Sequence, residues 1–393
     1  MPQTRIRPHR KVRSGCVECK SRKIKCDEGR PQCSLCKRYS TSCIYRTSRT
    51  KPTTNSLLHT RAICVQLSKN STIEPTARGT DLQLQELELL HRWTTLACRG
   101  FGDKPIDIEA WQFDIPQVAC RHPFLMHGIL AISALHKSRT EPEVSQKYLV
   151  CAVHHQNRAL PFYRNVIDDL KEKMTEENCH AVMAFASLTI AFAFADLDAV
   201  MGCGFSGPPR SAVPEWIHLL RGGRKLLQVV KAWIIKGPMA FHLRQPEGNI
   251  NLSQSPDDAR LAVLEALFDE HNSPHSLSNG ERQIYCTTLR FLRESFAISL
   301  LPDPPLGIKF CMFLWMERLP QEYLELLDRR KPQAAILLAH FCILMERGAA
   351  SCWYMVGAAE KLVTTLYHTM DEEWRAWMAW PLEQINHADL TYS

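Results

Sequence analysis

The sequence predicts two unlike parts, a small metal-folded cluster domain and, behind it, an all-α helical domain. Three observations carry the prediction. Cysteines stand at 16, 19, 26, 33, 36 and 43, and positive charge is concentrated in the same stretch. From about residue 81 onward, apolar residues recur at helical intervals with no competing run of strand-type alternation.

The cysteine stretch reads CVECKSRKIKCDEGRPQCSLCKRYSTSC. It is two copies of C-x2-C-x6-C joined by a six-residue loop that contains Pro31. Thiolates are soft ligands, and tetrahedral all-sulfur sites favour zinc. Six sulfurs cannot give four separate ligands to each of two ions, but the count closes if two of them bridge. Two Zn2+ per chain are therefore expected, held by Cys16, Cys19, Cys26, Cys33, Cys36 and Cys43. So small a module has no hydrophobic core to speak of, so metal binding supplies most of its folding free energy. A secreted disulfide framework is the competing reading. It fits less well, because no signal peptide is expected ahead of the cysteines and lysines and arginines are laced among them.

Residues 1–51 hold 15 Lys+Arg against 3 Asp+Glu, a net of +12, whereas the rest holds 33 against 38, a net of −5. Such asymmetry points to a polyanion met at one end only. The basic arm at 1–15 carries Arg5, Arg7, Arg10, Lys11 and Arg13, which suit phosphate contact or nuclear import and lack a signal peptide's apolar core. Each C-x2-C pair is expected to open a short helix. The first would carry Lys20, Arg22, Lys23 and Lys25, and the second Lys37 and Arg38.

In spacing, in the basic run after Cys19 and in the loop proline, residues 16–43 resemble the Zn2Cys6 binuclear cluster of fungal transcription factors. The resemblance implies that Cys16 and Cys33 bridge. One zinc would then take Cys16, Cys19, Cys26 and Cys33, and the other Cys33, Cys36, Cys43 and Cys16. It further implies that a helix end enters the major groove of double-stranded DNA. There Lys23, with Arg22 beside it, would contact the bases of a CGG-like triplet, guanine offering O6 and N7 as acceptors. Lys20, Lys25, Lys37 and Arg38 would contact phosphates, which position a protein without specifying sequence.

Residues 44–80 read as a polar linker. No sustained heptads follow it, so a coiled coil is not expected. The stretch 81–97 is read as the first helix of the domain at 81–393. Further helices are expected over 122–135, 144–164, 178–201, 216–231, 257–268, 283–298, 306–316, 321–328, 333–347, 351–367 and 372–380. Residues 181–195 contain no charge. Fifteen residues are short for a bilayer crossing, so this segment is read as a helix buried in a bundle and no membrane span is expected.

The landmarks LELLHRW (87–93), HPFLMHGILAISALH (122–136), EWIHLLRGGRKLL (215–227), RRKPQAAILLAHFCILMER (329–347) and EEWRAWMAWPLEQI (372–385) resemble the regulatory domain of fungal factors similar to sterol uptake control proteins. The resemblance implies a nuclear transcription factor, an activator of a metabolic or secondary-metabolite gene cluster. Its alternative is a sterol- or lipophilic-ligand-sensing regulator. The implied partners are DNA and the transcription machinery, with a second copy of the chain and a lipophilic small-molecule effector as further ones to test. Phe185, Phe192, Phe194, Trp315, Phe341, Trp353 and Tyr354 are the candidate liners of an effector pocket, although aromatics at helical spacing are more often core.

Other motifs carry little. Gly202 to Gly207 fits G-x-G-x-x-G, but that fingerprint needs a strand before it and a helix after it, and Pro208 and Pro209 follow here. His154 and His155 are adjacent, so on a helix they point about 100° apart and make a poor metal pair. H-E-x-x-H, G-x-S-x-G and the P-loop are absent, so no enzyme is expected. The ten remaining cysteines sit among apolar residues and are expected to be free, buried thiols.

Overall fold

The structure is a computed structural model that describes residues 16–22, 24–29, 32–39, 41, 43, 83–195, 213–244, 251–252, 255–269, 277–301 and 307–386. The basic arm, Lys23, Pro31, the linker at 44–80, the glycine-rich 202–207 stretch, Cys64 and Cys203 lie outside these residues. The chain divides into two compact units, Met1–Asn55 and Ser56–Ser393.

In the first unit, helix α1 spans Val17–Ser21 and α2 spans Ser34–Arg38. Each starts directly after a cysteine whose sulfur accepts the backbone N–H three residues on, at Cys19 and Cys36 respectively. The cysteine thus fills the N-cap role that a serine or aspartate usually fills. The helix expected through Lys25 is shorter than its sequence suggests. Arg22 is its C-cap, and the Ile24 N–H reaches back to the Cys19 carbonyl at 3.0 Å, satisfying one of the helix's terminal carbonyls. Lys25 therefore lies beyond the helix, where the chain turns to bring Cys26 back to the other sulfurs.

The second unit is all-helical among its described residues. In order it comprises α3 (Leu84–Thr95), α4 (Pro105–Glu109), a π-helical turn (Ala110–Asp114), α5 (Ile115–Arg121), α6 (Pro123–Thr140), α7 (Ser145–Ile167), α8 (Leu170–Lys173) and α9 (Cys179–Ala195). It continues with α10 (Glu215–Ile234), α11 (Asp258–Ala262), α12 (Asn279–Ser299), α13 (Gly307–Arg318), α14 (Gln321–Asp328), α15 (Pro332–Ala349), α16 (Ala358–Thr369), α17 (Glu372–Arg375) and α18 (Ala379–Asn386). Proline sits in the first turn of α4, α6 and α15, where its missing N–H costs nothing. Ser278 and Glu281 form a reciprocal capping box that starts α12.

The segment 105–121 is helical although it is not among the predicted helices, with Pro105 opening α4 and Pro116 just after the π-helical turn. One predicted helix needs correction. The helix expected over 351–367 is split, because Gly357 takes a left-handed φ of 79° between the short turn Trp353–Met355 and α16.

α6 and α7 pack along their lengths, α9 lies against α6 and α10, and α15 is flanked by α16, α12 and α13. The uncharged helix α9 is buried almost throughout, which explains its composition without a membrane. No helix among the described residues is long and apolar enough to cross one. A large aromatic-rich core runs through the described part of the unit, with a small separate cluster of Ile298, Cys311 and Leu314. Phe194 stacks on Trp216 at 4.6 Å and Phe341 on Trp315 at 4.6 Å, each pair fully buried. Of the other cysteines described, Cys98, Cys179, Cys311, Cys342 and Cys352 are buried thiols as expected, whereas Cys120 and Cys286 are exposed and Cys151 is half-buried.

Candidate metal centre and nucleic-acid interface

The first unit packs around sulfur. Cys16, Cys19, Cys26, Cys33 and Cys36 are buried and Cys43 is partly so. Cys16, Cys19, Cys26 and Cys33 form one group of ligand atoms within 4.8 Å of one another, and Cys16, Cys33, Cys36 and Cys43 form a second. Cys16 and Cys33 belong to both. The Cys16 sulfur lies 3.8 Å from that of Cys33 and 3.7 Å from that of Cys36, and Cys19 lies 3.7 Å from Cys33. A zinc tetrahedron with Zn–S of about 2.3 Å has S···S edges of about 3.8 Å. The donor set therefore fits two zinc ions sharing two sulfurs, which is a binuclear Zn2Cys6 site.

The two halves repeat one another at an offset of 17 residues, the separation of Cys16 and Cys33. The Cys16 N–H donates to the Cys26 sulfur at 3.5 Å, and the Cys33 N–H to the Cys43 sulfur at 3.2 Å. Cys19 and Cys36 donate to the Cys16 and Cys33 sulfurs, both at 3.4 Å. Such N–H···S bonds stabilise thiolate and offset its charge. Burial and the neighbouring thiols act in the opposite direction. At Cys16 the Cys19 backbone N–H lowers the pKa, but burial and neighbouring thiols outweigh it and leave the group at about 12. Cys33 shifts in the same direction, so metal binding must release protons.

The symmetry is broken in the connecting loop. The Asp27 carboxylate accepts the Ser34 backbone N–H at 3.1 Å and the Ser34 hydroxyl as well, capping α2 from outside. These bonds hold the Asp27 carboxyl below its usual range. Gln32 donates to the Thr41 carbonyl at 2.8 Å, and Glu28 takes a left-handed φ of 59°.

Around this centre the cations face outward. Lys20 on α1, Lys25 beyond it, and Lys37 and Arg38 on α2 are exposed. Lys23 lies outside the described residues. The Arg22 Nε donates to Glu18 Oε1 at 2.9 Å, and its guanidinium lies over the Tyr39 ring at 5.6 Å. Neither contact was legible from the cysteine spacing, although the 17-residue offset relates Arg22 to Tyr39.

In the helical unit none of the aromatic candidates lines the cleft described below. Phe185, Phe194, Trp315, Phe341 and Tyr354 are core residues, as are Phe192 and, more partially, Trp353. A cleft of about 960 Å³ instead lies between residues 106–121 and 235–244. Its apolar walls include Ile106, Phe113, Ile235 and Phe241. Across it, Arg244 makes a bidentate pair with the buried Asp107, both bonds at 2.7 Å. His154 and His155 diverge as expected. His155 turns inward to meet His127 at 2.9 Å, and His154 stays exposed.

Taken together, the chain joins a cysteine-rich module whose sulfurs fit a binuclear zinc site to a unit that is all-helical among its described residues. Residues 14–52 match the fungal Zn(2)-Cys(6) binuclear cluster domain. A Zn(2)-C6 fungal-type transcription factor from Gibberella zeae is 25% identical over 96% of this chain and 86% of its own length. The Zn(2)-C6 fungal-type transcription factor afumD of Aspergillus fumigatus is 30% identical over 54% of this chain, which spans 53% of that relative. Sterol uptake control protein 2 of Candida albicans is 30% identical over 42% of this chain, equal to 22% of its own length.

Proposed function

We propose that this chain is a nuclear, sequence-specific DNA-binding regulator of RNA polymerase II transcription, an activator of a metabolic or secondary-metabolite gene cluster through CGG-like sites. The observation that carries the reading is the sulfur cluster with shared Cys16 and Cys33, wrapped in exposed cations. Zinc, when bound, supplies the folding free energy of the module. Cys16, Cys19, Cys26 and Cys33 would hold one ion, and Cys33, Cys36, Cys43 and Cys16 the other. Lys20, Lys25, Lys37 and Arg38 contact phosphates, and Lys23 reads guanine in the major groove. The transcription machinery is the second partner.

Unbiased selection of DNA sites by the full-length chain tests this. Enrichment of a CG-containing triplet, lost in Lys23→Ala, supports the reading, and no enrichment overturns it. Paired triplets at fixed spacing indicate a homodimer, and a single triplet a monomer.

The cleft beside Arg244 favours a second reading, a regulator whose helical unit senses a lipophilic small molecule such as a sterol. Its volume falls within the range usual for ligand sites, about 300–1,000 Å³. Saturable binding with a thermal shift, weakened by a Phe241 substitution, supports it. No binding of sterols or pathway metabolites counts against it.

A further inference from the structure

The 17-residue offset makes Arg22 of the first half the counterpart of Tyr39 in the second. These equivalent positions are the C-caps of α1 and α2, and they touch each other. Glu18, the Arg22 partner one helical turn back, stands where the second half has Leu35. One helix thus supplies the arginine and the acid that neutralises it, and the other supplies the ring that covers it. The arrangement belongs to this chain's particular residues and is not dictated by the cysteines.

A guanidinium that neither reads a base nor meets a phosphate can still matter to DNA binding. Its planar group bonds Glu18 through Nε while lying over an aromatic ring, a combination that a lysine cannot reproduce. The chain leaves α1 at Arg22 and passes directly into Lys23 and Ile24. Whatever fixes Arg22 fixes the start of the segment expected to enter the groove.

We propose that Arg22 is a positioning residue: clamped between Glu18 and Tyr39, it ties α1 to α2 and sets the course of the Lys23 segment, without itself contacting a base. The role presupposes the DNA-binding function proposed above. It separates three behaviours that a bare count of cations merges. A phosphate contact adds about 0.9 to the salt slope of binding. A base contact adds roughly 5- to 150-fold discrimination at one position. A clamp changes affinity for every sequence by one common factor.

The test uses full-length, zinc-loaded protein, on the selected site and on sites with each triplet base changed, over a range of salt. Arg22→Ala is expected to weaken binding about 3- to 10-fold on every sequence, the size of the lost ion pair and ring contact. Base preference and salt slope stay as in the wild type. Arg22→Lys shows the same uniform loss, Tyr39→Leu shows part of it, and Glu18→Gln steepens the salt slope by freeing the arginine. Metal analysis showing two zinc ions in each variant separates lost positioning from lost folding. A relaxed preference at one triplet position in Arg22→Ala overturns the proposal in favour of a base contact. A salt slope lower by about one overturns it in favour of a phosphate contact. If the wild type selects no site at all, the DNA-binding function itself falls, whatever Arg22 does.

Discussion

The sulfurs of Cys16 and Cys33 lie 3.8 Å apart, and each belongs to both four-sulfur groups of the cluster. Removing a shared sulfur therefore differs from removing an unshared one. Cys33→Ala leaves neither group with four sulfurs and is expected to lose both zinc ions and DNA binding. Cys43→Ala leaves the first group intact and is expected to retain one ion. Chelator titration with zinc release as the readout distinguishes the two. The helical unit has its own core, so its thermal transition should stay in place in both variants.

Asp27 reaches across the loop to cap α2 through Ser34. Asp27→Ala removes that acceptor and its charge at the helix N-terminus. Zinc should leave the second site faster under chelator, and Ser34→Ala should reproduce part of the effect. Equal release rates in wild type and variant would show that the cap plays no role in holding the metal.

Two helical glycines predict opposite signs. A Cβ at Gly128 in α6 would lie 2.7 Å from the Phe185 ring and 3.1 Å from Leu188, all inside the core. Glycine to alanine in a helix ordinarily gains about 1 kcal/mol, but here overpacking of about 1–3 kcal/mol opposes it. Gly128→Ala should therefore lower stability by up to about 2 kcal/mol. At Gly223 in α10 the nearest atom is 3.7 Å away, an ordinary contact. Gly223→Ala should raise stability by about 0.5–1 kcal/mol. Urea denaturation of both variants checks the pair.

How much of this was legible in the sequence depends on the range of the physics. Ligand chemistry is local, so the cysteine spacing gave the cluster and its zinc number. Helical periodicity gave most of the bundle, down to the bounds of α14 at Gln321–Asp328. Helix ends were less readable. The early stop of α1 comes from the chain's return to Cys26, and the break at Gly357 from a single left-handed residue. The cleft could not be found by periodicity, because Asp107 and Arg244 meet across 137 residues of chain. Of the aromatic candidates, Phe194, Phe341 and Trp315 are core residues, stacked on Trp216 or on one another.

Burial of neutral histidines sets the acid limit of the helical unit. Burial pushes His340 down to about 4, and its Nδ1 bonds the Ile336 carbonyl at 2.8 Å. His136 is held at about 4 by burial and by Arg92, whose Nε donates to its Nδ1 at 2.9 Å. His155 is also held at about 4, chiefly by burial. Between about pH 6.5 and pH 4 the unfolded chain binds protons that the folded one refuses. Stability is therefore full above about pH 6.5 and falls as pH drops through this window, on the order of 3 kcal/mol for His340 alone. Denaturant titrations from pH 7 to 4 should show the decline, with a shallower slope in His340→Gln. A flat profile would mean that these rings are charged in the folded protein.

The most direct measurement counts metal on the whole chain. Native mass spectrometry of the full-length protein should show two zinc ions bound, and Cys16→Ala or Cys33→Ala should lose both together. That result would establish six cysteines serving two ions through two shared sulfurs. A wild-type chain carrying a single zinc, or a Cys33→Ala variant that keeps two, would contradict the shared-sulfur cluster on which the proposed DNA reader is built.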